Sequence, residues 1–129
     1  MIVGLGTDVC PVARIAEILE RHGAIFADRV FTPGELEHAG NGVVRNERLA
    51  ARWAAKEAAI KALGAPEGLR WHDMEVVNDA GGAPSLRLDG AARSLADARG
   101  VTRALLSLSH AAGVAVAIVV LEGGELGNG

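Results

Sequence analysis

Hydrophobic and polar positions alternate or recur along this chain in blocks that predict a mixture of helices and strands. Ile2 to Val9 reads as a strand, with Gly4, Gly6 and Asp8 alternating onto one side. Two glycines on the side of an acid leave room for a ligand or another backbone. Pro11 stands near the first turn of a helix whose apolar face is Ile15, Ile18 and Leu19. Thr32 and Glu35 have capping-box spacing, and Pro33 takes the first position of a short helix. Gly40 to Val44 is a loop. A strong helical pattern then runs from about Asn46 to Leu63, with Leu49, Trp53, Ile60 and Leu63 on one stripe, and Gly64 ends it.

Strands dominate after Pro66. Met74 to Asn78 and Ser85 to Leu88 pair about an Asp79-Ala80-Gly81-Gly82 turn. Gly90 to Arg99 is an amphipathic helix with Ala91, Leu95 and Ala98 on one side. Ala104 to His110 and Val114 to Leu121 form a second hairpin, and the last strand, apolar on both faces, is expected to be central or covered on both sides. Residues 1–122 form one domain, and 123–129 read as a flexible tail.

Composition changes this picture in three ways. Half of the 129 residues are hydrophobic but only 3% are aromatic, so small side chains fill the core and oligomerisation would bury more. Cys10 is the single cysteine, which excludes an intrachain disulfide and suits a reducing compartment; its place at a strand end favours a buried packing thiol. No apolar run is long enough to span a bilayer and no targeting segment is visible, so the expectation is a cytoplasmic protein with no membrane partner.

The net charge of −3 argues against general affinity for nucleic acid. Yet five bases (Arg45, Arg48, Arg52, Lys56, Lys61) face two acids (Glu47, Glu57) between Arg45 and Lys61, which could receive a small polyanion. For any single Arg the expectation is a solvated helix face.

Four places could carry chemistry. Asp8 could ligate a hard cation or cap the helix that follows, and alone it favours the cap. Glu57 sits at the edge of an apolar face, and alone it favours an ion pair with Lys61 one turn on. Together, two inward carboxylates without a Cys or His cluster suit Mg²⁺ shared with substrate phosphate rather than zinc. In Ser107-Leu108-Ser109-His110, alternation puts both serines on one face and His110 on the other, so no hydrolase dyad forms. His110 alone reads as a strand-end histidine bonded to a turn carbonyl. Gly4-x-Gly6 lacks the third glycine of a dinucleotide fingerprint, and no Walker lysine motif is present.

Three blocks in order then match a family. They are Gly4-Leu5-Gly6-Thr7-Asp8 with Arg14-Ile15; Arg52-Trp53-Ala54-Ala55-Lys56-Glu57-Ala58 with Lys61-Ala62; and Ser107-Leu108-Ser109-His110. Phe31-Thr32 with Glu35-Leu36 is a further match. The chain, to about Leu121, resembles the holo-acyl-carrier-protein synthase family of small bacterial 4′-phosphopantetheinyl transferases. Any one block is weak; together they are specific.

The resemblance implies an α+β fold with an antiparallel sheet packed against a long central helix, in a homotrimer with active sites between subunits. It implies transfer of phosphopantetheine from coenzyme A to a serine of apo acyl carrier protein, leaving adenosine 3′,5′-bisphosphate, in support of fatty acid or polyketide synthesis. Asp8 and Glu57 resemble the ligands of Mg²⁺, with Mn²⁺ as an alternative. Lys61 resembles the lysine on the diphosphate. Glu57, directly or through water, is the candidate base. Arg52, Gly64, Pro84, Ser109 and His110 are similar to coenzyme A contacts, and Arg14, Ile15, Ile18 and Arg21 to a docking surface for the acidic carrier. Ala83 stands where many relatives have a basic residue between Gly82 and Pro84, and Trp53 where Phe is commoner. Two other classes fit the same residues: a coenzyme A-binding module without turnover, and a metal-dependent phosphatase.

Overall fold

A computed structural model describes residues 1–124 of the chain. The order is β1 (Ile2–Pro11), α1 (Val12–Val30), α2 (Pro33–Ala39), α3 (Arg45–Ala62), a 3₁₀ turn (Trp71–Asp73), β2 (Met74–Asn78), β3 (Pro84–Leu88), α4 (Gly90–Ala98), β4 (Val101–Ala111) and β5 (Val114–Gly123). β1, β5 and β4 form an antiparallel sheet with β5 in the middle, and β2 and β3 form a separate hairpin. The expected α+β arrangement of an antiparallel sheet on a long central helix is therefore present. Gly123 closes β5 and its N–H donates to the Met1 carbonyl, so it does not belong to the expected tail of 123–129; 125–129 lie outside the described residues.

β5 is central, as its apolar sequence requires, but one of its faces is open within a single chain. Ala115, Ala117, Val119 and Leu121 are buried against α3. On the opposite face Leu5, Val9, Leu105 and Ile118 remain exposed. The sheet thus leaves an apolar surface that one chain does not cover.

α3 departs from the single apolar stripe expected of it. Leu49, Ala50, Ala51, Ala54, Ala55, Ala58, Ala59 and Ala62 are all buried, so the helix is enclosed on most sides. Trp53 and Ile60 are only half-buried. Alanine is what permits this, because a helix coated in methyl groups can be approached closely from several directions. β1 makes the closest approach. A Cβ added at Gly6 would lie 1.9 Å from the Ala58 carbonyl oxygen, and one at Gly4 would lie 2.2 Å from that of Ala62. The glycines therefore make room for the α3 backbone rather than for a ligand.

Two of the helix bases are not on a solvated face. Arg52 is 3% exposed and Lys56 is fully buried. Lys56 Nζ lies 2.8 Å from Glu35 Oε1 and donates to the carbonyls of Trp71 and Met74, which uses all three ammonium hydrogens. Burial pulls the ammonium below its ordinary range, and Glu35 opposes that pull. Glu35 also accepts from the N–H groups of Thr32 and Val76. The expected capping box is present, since Thr32 Oγ1 accepts from the Glu35 N–H at 3.2 Å. The capping acid is therefore also the buried counter-ion that joins α2, α3 and β2.

Smaller departures have local causes. α1 continues to Val30 but breaks at Gly23 (φ 54°, ψ −134°), a conformation open mainly to glycine. α4 buries Ala92 and Ala96, with Leu95 partly covered; Ala91 and Ala98 are exposed, so its packed face is turned from the expected one. All four aromatic residues gather where α1, α3 and the 3₁₀ turn meet. Trp53 stacks on Trp71 with centroids 4.9 Å apart, Phe26 lies 5.5 Å from Trp53, and Phe31 lies edge-on to Phe26.

The Gly6 contact makes a sharp prediction. Gly6→Ala should cost about 3 kcal/mol or more, because the atom it meets is helix backbone and cannot swing aside. Urea unfolding measures this; a loss below about 1 kcal/mol would show that β1 and α3 can separate without penalty.

Candidate active site

Close packing of β1 on α3 brings Asp8 to the side of α3 that carries Glu57 and Lys61. Lys61 Nζ lies 3.0 Å from Asp8 Oδ1 and donates to the Thr7 carbonyl at 2.9 Å. Two expectations fall here. Asp8 is not a helix cap, since the start of α1 has no side-chain cap. Lys61 does not pair with Glu57 within the helix; it reaches across to β1.

Glu57 has no hydrogen-bond or ion-pair partner among the described residues. Its carboxyl is raised above the ordinary range, first by burial and then by the negative charge of Asp8, while Lys61 acts in the opposite sense. Two carboxylates near enough to repel, with only one lysine between them, are a donor set that a hard divalent cation relieves. Among the described residues no group of three or more His, Cys, Asp or Glu side chains is placed to hold a metal. A cation here would take two protein carboxylates and draw its remaining oxygens from substrate and water, as Mg²⁺ does.

Cys10 lies near these acids but is not a nucleophile. Burial, opposed by Arg14 and assisted by Asp8 and Glu57, pushes its thiol up to about 11. It stays protonated and packs, as its strand-end position implies.

A cavity of about 330 Å³ opens on another part of α3, lined by Glu47, Arg48, Arg52, Asn78, Pro84 and His110 among others. Arg52 lies at its inner wall. It donates from Nη1 to the Arg48 carbonyl at 3.0 Å and from Nη2 to Asn78 Oδ1 at 2.9 Å, while its buried Nε finds no partner among the described residues. Burial lowers the guanidinium below its ordinary range, and Arg48 adds to that effect. His110 Nδ1 lies 3.1 Å from Glu47 Oε2, so its partner is a carboxylate and not the expected turn carbonyl.

Not every expected contact joins this cavity. Ser109 points to the opposite, open face of the sheet from His110, as alternation requires. Gly64 lies beyond the C-terminal end of α3 with φ +87°, against the Arg99 guanidinium. On α1, Arg14 is exposed and Ile18 half-buried. Ile15 is fully buried and belongs to the core, so it is not available to a docking partner. Arg21 is exposed but paired with Glu17 at 3.0 Å.

Sequence reasoning missed the roles of Asn78, Glu47 and the Glu35–Lys56 pair. Only the last left a signal: Lys56 stands among Ala54, Ala55, Ala58 and Ala59, small side chains that let other elements close over that stretch of α3.

Residues 4–119 match the 4′-phosphopantetheinyl transferase superfamily. A holo-[acyl-carrier-protein] synthase of Anaeromyxobacter sp. (strain K) is 55% identical over 126 residues, which cover 95% of this chain and 98% of the relative. The synthase of Clavibacter sepedonicus is 52% identical over 123 residues, with 95% and 98% covered. The crystal structure of holo-ACP-synthase from Plasmodium yoelii superposes with a TM-score of 0.84 at 32% identity, over 97% of this chain and 98% of that one. The Helicobacter pylori synthase in complex with coenzyme A superposes at 0.81 with 28% identity, over 92% and 99%. On this agreement of fold, length and sequence, the chain belongs to the holo-[acyl-carrier-protein] synthase family of 4′-phosphopantetheinyl transferases.

Proposed function

We propose that this protein transfers the 4′-phosphopantetheine group of coenzyme A to a serine of apo acyl carrier protein, with Mg²⁺ held by Asp8 and Glu57. The convergence of Asp8, Glu57 and Lys61 at the β1–α3 contact carries this reading. When bound, Mg²⁺ supplies positive charge that neutralises the coenzyme A diphosphate and its leaving group.

The chain's own residues supply position and proton transfer. The serine oxygen forms a bond to the phosphorus that bears pantetheine. The bond from that phosphorus to the bridging oxygen breaks, and adenosine 3′,5′-bisphosphate departs with the electron pair. Lys61 is half-exposed and anchored to Asp8 and Thr7, so its remaining N–H can meet charge developing on the departing oxygen. Glu57 accepts the serine proton; a carboxylate whose pKa is raised holds that proton more firmly than an ordinary one.

The rest of the reading concerns partners. The exposed face of Leu5, Val9 and Ile118 supports assembly as a homotrimer, with Ser109 at the subunit boundary and active sites between subunits. The exposed Arg14 and Arg21, with Ile18 between them, support docking of an acidic carrier. Among the described residues no helix is long and apolar enough to cross a membrane. With a single unpaired cysteine, this supports a cytoplasmic supply of holo carrier to fatty acid synthesis, with polyketide synthesis as the alternative destination.

The central experiment combines the protein with Mg²⁺, coenzyme A and an apo carrier and weighs the carrier by intact mass spectrometry. One phosphopantetheine should be gained, and chelator should prevent it. No gain despite coenzyme A binding would favour a binding module. Breakdown of coenzyme A without a carrier would favour a phosphatase.

Four further outcomes are expected. Glu57→Gln should lower turnover by about 10²–10³-fold. In metal-free protein at pH 7, however, it should raise Tm on the order of 2 °C. The sign follows from the raised carboxyl: the folded state favours the protonated form, so stability falls as pH rises through that pKa, and the mutant's advantage should vanish near pH 4. Calorimetry at both pH values checks this, and a destabilised mutant at pH 7 would contradict it. The Michaelis constant for the carrier should rise with salt, and a flat dependence would remove α1 as the docking element. Light scattering should give about three times the 13.3 kDa chain mass; a monomer would refute the trimer.

A further inference from the structure

Lys61 is committed to two oxygens of β1. Its Nζ lies 3.0 Å from Asp8 Oδ1 and donates to the Thr7 carbonyl at 2.9 Å, which leaves one of its three hydrogens free. Among the described residues it is the one side chain paired with Asp8. The two partners are unequally held. The Lys61 side chain is 51% exposed and that of Asp8 18%. Asp8 belongs to a strand that Gly4 and Gly6 seat against the α3 backbone, whereas Lys61 reaches it through a flexible four-carbon stem. The lysine is therefore the partner that can swing away. Glu57 has no ion-pair partner of its own among the described residues, and both Asp8 and Lys61 act on its charge. One ammonium thus serves a site with two acids, and a divalent cation held by those acids meets a positive charge already seated on one of them.

We propose that Lys61 is the resident counter-ion of Asp8 and competes with the divalent cation for Oδ1, so that the Lys61–Asp8 pair couples cation binding to coenzyme A binding. The proposal rests on the transferase reading above. Coenzyme A brings phosphate oxygens that can take over the Lys61 ammonium. Lys61 then keeps the Thr7 carbonyl, turns toward phosphate the hydrogen it gave to Asp8, and leaves Oδ1 to the cation. Either ligand alone works against the Lys61–Asp8 pair. Together they divide it, the cation taking the acid and the diphosphate taking the base. Linkage makes the help reciprocal: the cation tightens coenzyme A by the factor that coenzyme A tightens the cation. The lysine that serves the leaving group thereby also keeps the site weak toward free cations.

Water-proton relaxation with Mn²⁺ as the probe measures cation binding to the protein directly, with and without coenzyme A. Lys61→Met keeps side-chain length and removes the charge. Without coenzyme A it should bind Mn²⁺ about 10-fold more tightly than wild type, or 1.4 kcal/mol. The extra tightening of Mn²⁺ that coenzyme A produces should shrink by a similar factor. A gain in affinity cannot come from a damaged fold, so its sign separates competition from structural harm. Unchanged or weaker Mn²⁺ binding by Lys61→Met overturns the inference. A gain with the coenzyme effect unaltered also overturns it, because Lys61 would then repel the cation through space whichever oxygen it holds. Wild-type protein that binds Mn²⁺ neither alone nor with coenzyme A, and leaves the carrier unmodified, refutes the transferase reading as well. Turnover by wild type, with Mn²⁺ affinity the same in Lys61→Met, refutes this inference alone.

Discussion

The near-contact of the β1 backbone with the α3 backbone is the constraint on which the molecule depends. Gly4 and Gly6 carry no side-chain atom to hold the two elements apart, and Ala58 and Ala62 carry only a methyl group each. The consequence is chemical as well as structural. At this separation Asp8 perturbs Glu57, and Lys61 can hold both Asp8 and the Thr7 carbonyl. Small residues in the interior are thus what makes a charged cluster possible at its edge.

α3 is oriented from two sides. Its Arg52–Lys56 face is tied by hydrogen bonds and an ion pair to Asn78, Glu35 and the carbonyls around Met74. Its Glu57–Lys61 face meets β1. A buried ion pair is weak evidence of stability, because an apolar pair of similar size often does as well. Lys56 and Glu35 do, however, leave little freedom of rotation. Three acceptors around one ammonium define how α3 is turned, and that turn decides where Glu57 and Arg52 project.

Much of this was legible in the sequence because it depends on local rules. The bounds of α3 and β2, the Thr32–Glu35 capping box and the opposite faces of Ser109 and His110 follow from periodicity and capping chemistry. What was not legible depends on enclosure. An alanine-rich helix offers no contrast between faces, so periodicity pointed to a stripe through Trp53 and Ile60 when the better-covered sides carry Arg52 and Lys56. The spacing of Glu57 and Lys61 suggests an intrahelical pair, and only the depth of β1 against α3 reveals Asp8 as the competing partner. Ile15 reads by periodicity as part of the apolar face of α1 and by resemblance as one of four docking residues; its complete burial bears out the first reading and not the second.

The gathering of all four aromatic rings at one junction has an optical consequence. Both tryptophans, stacked at 4.9 Å, report on the meeting of α1, α3 and the 3₁₀ turn. No aromatic residue lies in any of the five strands. Emission recorded during denaturation would therefore follow the helical junction and be silent about the sheet. A separation of the two halves would surface as disagreement between fluorescence and far-ultraviolet dichroism, since the second signal reports helices and strands alike.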